Sequence, residues 1–118
     1  MKILVCGSRD WLSRAAIHRA LAKYEHHVPS SVQIIHGDCR GADQFAADAA
    51  DVYGYTVRAF PADWEMHGKA AGPRRNRQML DEKPDVVIAF QRNSSRGAQD
   101  TIDEARRRGI PVEVHTCR

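Results

Sequence analysis

The chain has 118 residues, 42% hydrophobic and 28% charged, with a formal net charge of +3. That length suits one buried core, so residues 1–118 are expected to form a single domain, and the balanced composition excludes a low-complexity or fibrous class. The charge fits a phosphate-bearing ligand but is a weak argument for a general nucleic-acid binder, and no apolar run is long enough to span a bilayer.

The N-terminal run MKILVCGSRD turns polar after its sixth residue, too early for a secretory leader. The three cysteines (Cys6, Cys39 and Cys117) form no CxxC pair, so reduced thiols in a cytoplasmic protein are expected. The first strand is predicted over Lys2–Cys6 and is followed by the turn Gly7-Ser8-Arg9-Asp10-Trp11. Leu12, Ala15, Ala16, Ala20, Leu21 and Tyr24 then trace a rough helical stripe. His26 and His27 are adjacent and no HxxxH or HExxH spacing occurs, so neither a metal site nor a cofactor is expected. A second strand over Val32–His36 leads into His36-Gly37-Asp38-Cys39-Arg40-Gly41-Ala42-Asp43. A cleaner helical stripe follows in Ala42, Phe45, Ala46, Ala49, Ala50 and Tyr53.

The third strand is predicted over Thr56–Phe60, followed by a long polar connection and a helix from about Gly72 to Asp81 with Met79 and Leu80 facing inward. A fourth strand over Asp85–Phe90 precedes Gln91-Arg92-Asn93-Ser94-Ser95-Arg96-Gly97. A helix then runs from about Gly97 to Arg108, stopped by Gly109, and the last strand covers Pro111–Val114. The strands are apolar throughout rather than alternating, which predicts burial on both faces and parallel pairing. Five strands alternating with helices define an α/β fold, a Rossmann-like three-layer sandwich whose mainly parallel sheet carries helices on both faces.

In such sheets ligands bind beyond the carboxyl ends of the strands, so the turns after the first four strands are expected to share one edge. Gly7 and Ser8 form a tight turn that either meets a ligand through amides and hydroxyl or caps a helix through Ser8 or Asp10, with Arg9 at the mouth. The Gly37–Gly41 turn is expected to free amides for a phosphate. Asp38 and Asp43 would repel an anion and are better suited to ribose hydroxyls or to orienting Arg40. The connection Phe60–Leu80 holds Asp63, Trp64, His67, Lys69, Arg74, Arg75, Asn76 and Arg77, a density of functional groups that suits anion recognition at a helix start. Trp64 either stacks on a base or packs under the loop, and His67 is either an acid/base group or structural. Ser94, Ser95 and Gly97 make a second small-residue turn entering a helix.

GSRDW, HGDCRGAD and FPADWEMHGKAAGPRRNRQML together resemble the SLOG superfamily, specifically its YspA-like branch, over Lys2 to about Val112. The resemblance implies a Rossmann-like fold that binds nucleotides or nucleotide-derived molecules such as ADP-ribose derivatives, in a bacterial or phage setting. The superfamily includes the Lonely Guy phosphoribohydrolases and DNA-processing protein A, which binds single-stranded DNA. Arg75 is similar to the functional arginine of the Lonely Guy Arg-Lys-x-x-Met element, and Gly97 matches the last glycine of their Pro-Gly-Gly-x-Gly-Thr-x-x-Glu motif. Ala98 replaces the motif threonine and Thr101 its catalytic glutamate.

The expected function is therefore binding of a nucleotide or nucleotide-derived small molecule, by a sensor or sequestering module that assembles as a dimer or higher oligomer. One alternative is an N-glycosidase or phosphoribohydrolase-like enzyme with Asp38, Asp43 or Asp63 as its carboxylate. Single-stranded nucleic-acid binding through basic residues and Trp64 is the other, less favoured one.

Overall fold

The computed structural model describes residues 1–92 and 95–117. Five strands, β1 (Lys2–Gly7), β2 (Gln33–His36), β3 (Thr56–Ala59), β4 (Val86–Arg92) and β5 (Val112–Cys117), form one sheet in the order β3-β2-β1-β4-β5. All four pairings are parallel. The expected sandwich is therefore present, with every neighbour parallel rather than most of them. Leu4 of β1 faces Ile35 of β2 on one side and Val87 of β4 on the other, so the central strand is apolar on both flanks.

Helices α1 (Arg14–Ala22) and α2 (Ala42–Tyr53) cover one face, and α4 (Ala71–Asp81) and α5 (Arg96–Arg107) the other, with a single turn, α3 (Trp64–His67), between β3 and α4. The split follows from β1 having alternating faces. Ile3 and Val5 pack with Ile17, Leu21 and Ala46 on the first face, while Leu4 and Cys6 pack with Met79, Leu80 and Ile102 on the second. Burying side chains such as Ile17 or Leu80 contributes about 1.5–3 kcal/mol each.

Two sequence expectations shift. In α1 the inward residues are Ile17, Ala20 and Leu21, whereas Leu12 lies ahead of the helix and is exposed and Ala15 points outward. Ser13, not Ser8 or Asp10, caps this helix by accepting the Ala16 amide. Strand β3 is not covered on both faces: all four of its residues are exposed, because it is the sheet edge beside the Phe60–Ala70 connection. The strand order reverses between β1 and β4, where α1 leaves to one face and α5 to the other. That reversal opens a crevice at the carboxyl edge.

Candidate functional site

The crevice holds a cleft of about 830 Å³ built from the ends of β1 and β2 and the starts of α4 and α5. At the end of β1 the GSRDW segment divides its labour. The buried Ser8 donates its backbone N–H to the Phe90 carbonyl at 2.9 Å. Its hydroxyl donates to the Arg92 carbonyl at 3.0 Å and accepts the Arg92 amide at 2.7 Å. Ser8 therefore fastens β1 to β4 where the crevice would otherwise part them, and its hydroxyl is committed to that joint. Arg9 and Asp10 reach the rim, with Asp10 3.8 Å from Arg92. Trp11 turns back into the core against Phe90 at 5.4 Å.

The turn after β2 is held from both sides. Asp43, in the first turn of α2 and only 5% exposed, accepts the amides of Gly37 at 3.0 Å and Cys39 at 3.2 Å through one oxygen. The Asp38 amide donates to His36 Nδ1. The expectation that this turn frees its amides for a phosphate is thus overturned for Gly37, Asp38 and Cys39, because a carboxylate of the chain itself and a histidine occupy them. Burial pushes Asp43 up to about 6, against the lowering effect of the Cys39 amide, the Arg75 charge and the Gly37 amide. Burial also lowers His36, in keeping with a neutral ring that accepts at Nδ1. Gly41 has φ +78°, and a Cβ there would overlap the Arg9 carbonyl, so only glycine fits where this turn touches the one after β1. Arg40 and Cys39 line the cleft, while Asp38 lies outside its wall and accepts from Gln44.

From the other side comes Arg75. Its guanidinium, 8% exposed, donates to the Gly37 carbonyl at 2.6 Å and to Asn76 Oδ1 at 3.0 Å, and lies 3.6 Å from Cys39 Sγ. Asn76, also buried, donates to Asp100 Oδ2 at 3.0 Å and to the Gly97 carbonyl at 3.4 Å. Both residues were expected to be ligand-facing groups. Both line the cleft, yet their polar atoms are spent chiefly on joining the β2 turn to α4 and α5.

The remaining residues of the long connection separate. Trp64 is half exposed, its ring packed over Gly72, and with Lys69 it borders the cleft. Asp63 caps α3 by accepting the Met66 amide. Asp63, His67 and Arg74 line a second cavity of about 370 Å³ that shares Arg75 with the cleft, and none of the three is among the residues that line the cleft itself. At the start of α5, Ser95, Arg96 and Gly97 line the cleft, whereas Ser94 lies outside the described residues. Thr101 is buried and donates its hydroxyl to the Gly97 carbonyl at 3.3 Å. Asp100, a carboxylate in the cleft wall, is not among the candidates read from the sequence, because its place on the helix differs from that of Thr101.

Residues 1–67, from β1 through α3, match the model of the YspA, cpYpsA-related SLOG family. The chain belongs to that family. A further relative of this SLOG chain is the gene 61 protein of Mycobacterium phage D29, 38% identical over 116 residues that cover 94% of the chain and 93% of the phage protein. The fold of this SLOG chain is similar to that of DNA processing protein A from Streptococcus pneumoniae, with a TM-score of 0.70 at 21% identity over 96% of the chain. The SLOG chain spans about half the length of that structure, 49%.

Proposed function

We propose that the cleft binds a nucleotide or a nucleotide-derived small molecule through its phosphate, with the chain acting as a sensor or sequestering module. One observation carries this reading. Arg9, Arg40, Lys69 and Arg96 ring the cleft, and among the described residues none of the four makes an ion pair. Cations left unpaired around a crevice at the strand-order reversal suit an anionic ligand. The start of α5 adds the positive end of a helix, and the half-exposed Trp64 adds a stacking surface of the size of a base.

Membership of the SLOG family and the likeness to a protein named for DNA processing support a ligand of nucleotide chemistry. Binding stands ahead of hydrolysis by the three carboxylates read as catalytic candidates, because those three are dispersed. Asp38 is outside the cleft, Asp43 holds loop amides, and Asp63 lies at the second cavity. The test is a thermal-shift screen with AMP, ADP-ribose, cyclic ADP-ribose isomers, NAD and cytokinin monophosphates, followed by chromatography of each hit. Stabilisation by a ligand recovered intact is expected. Recovery of free base and ribose phosphate would make the chain a hydrolase, and no stabilisation would remove the nucleotide reading.

A further inference from the structure

Two buried polar side chains of the cleft wall, Arg75 and Asn76, belong to a hydrogen-bonded chain that ends on Asp100. The Gly37 carbonyl accepts from Arg75, Arg75 Nε donates to Asn76 Oδ1, and Asn76 Nδ2 donates to Asp100 Oδ2. Arg75 and Asn76 are almost fully buried, so each link is fixed by packing as well as by hydrogen bonding. The Asp100 side chain is 31% exposed and lines the cleft. Its Oδ2 is held by Asn76, with Arg77 at 3.6 Å. Its Oδ1 has no hydrogen-bond partner among the described residues, and Arg96, one turn earlier on α5, makes no ion pair with it. A carboxylate oriented by two buried residues and left with an open oxygen is a preorganised acceptor.

We propose that Asp100 selects ligands carrying a free vicinal ribose diol, its Oδ1 accepting a hydrogen bond from a sugar hydroxyl while the cationic rim holds the phosphate. This rests on the nucleotide reading of the cleft. Two considerations name the hydroxyl. A carboxylate repels a phosphate placed beside it, so the phosphate stays at the rim and Asp100 faces a neutral donor. Asp100 lies four residues beyond Arg96, about 6 Å along the helix axis, a displacement within reach of the sugar hydroxyls of a nucleotide whose phosphate sits at the rim. Hydrogen bonds to an ionised acceptor are the strong ones, and a ligand lacking the donor leaves Oδ1 covered without a partner.

The experiment is calorimetric titration of the full chain and its Asp100→Asn variant with four ligands: AMP, 2′-deoxy-AMP, 2′,3′-dideoxy-AMP and inorganic phosphate. GMP, CMP and UMP are run beside AMP because the base is not specified. Asparagine keeps an oxygen for Asn76 but can turn an N–H toward the cleft. The wild-type chain is expected to bind the ribonucleotide at least about tenfold more tightly than its dideoxy form. In the variant that gap should shrink to about twofold or less, with phosphate binding kept or strengthened. An equal gap in both proteins overturns the assignment to Asp100. Should the variant fail to fold by circular dichroism, the wild-type series decides alone, since equal affinity for ribo and dideoxy ligands overturns the proposal. Absence of binding by every nucleotide would instead overturn the nucleotide reading itself, and this inference with it.

Discussion

Arg75 shows how a residue can have the right chemistry for one role and perform another. Its guanidinium suits an anion, yet it is buried and binds the Gly37 carbonyl, Asn76 and the neighbourhood of Cys39. Arg75→Ala should cost about 2–4 kcal/mol in urea unfolding, because it leaves the Asn76 amide oxygen unpaired and the buried Gly37 carbonyl with only the weak Cys39 thiol as donor. Asp43 offers a pH test. Its pKa rises from 3.8 to about 6 in the folded chain, so the unfolded chain ionises first as pH rises. Stability from this group is therefore greatest below pH 4 and is lost between about pH 4 and 6, by up to about 3 kcal/mol. Asp43→Asn should lack that loss, so urea midpoints of variant and wild type should move relative to each other in that window. A constant offset from pH 4 to 6.5 would refute the assignment. His36 acts in the opposite sense: its lowered pKa means that stability falls as pH drops below 6.5, where the unfolded ring takes up a proton that the folded ring resists.

Among the elements, α4 carried a signal that its basic composition obscured. Met79 and Leu80 face inward, and one turn earlier on the same face stand Arg75 and Asn76, with Ala71 and Gly72 a turn before them. The helical period alone assigns Arg75 and Asn76 to the buried stripe. Arg74 is exposed and lines the second cavity, while Arg77 reaches Asp100 and Glu104 of α5. The same period puts Thr101 with Ala98, Ile102 and Ala105 on the buried face of α5, whereas Asp100 stands beside it at the border of that face. Turns are less legible, because their contacts come from distant parts of the chain. Gly41→Ala should destabilise by about 2 kcal/mol or more, since it combines a positive φ with overlap on the Arg9 carbonyl. Ser8→Ala should cost about 1–3 kcal/mol by opening the joint to Arg92, and it should also weaken ligand binding by letting the cleft floor move. A thermal melt of each variant checks both figures.

At the scale of the molecule, the cleft is polar on its rim and tied together beneath. Affinity for a mononucleotide should therefore fall only mildly with salt, since one phosphate meets few cations, whereas a single strand of nucleic acid would show a steep slope. Titration between 50 and 200 mM salt, roughly the range over which polyelectrolyte binding collapses, separates the two. The expected dimer or higher oligomer rests on the family resemblance alone. Light scattering should return at least twice the mass of one chain, and a single-chain mass would refute it.

Local pattern alone determined the order and kind of the five strands and the four longer helices, because apolar runs and helical stripes are properties of neighbouring residues. It also located the turns that meet at one edge, since parallel β-α units send every strand end the same way. Only the tertiary structure decided which polar groups in those turns remain open. Asp43, Ser8, Arg75 and Asn76 are spent on partners supplied by other segments, from a few residues to 84 positions away in sequence. Asp63, His67 and Arg74 line a neighbouring cavity rather than the cleft. Such outcomes depend on which side of a helix meets the sheet and which loop lies across from it, and these are set by packing between segments rather than within them.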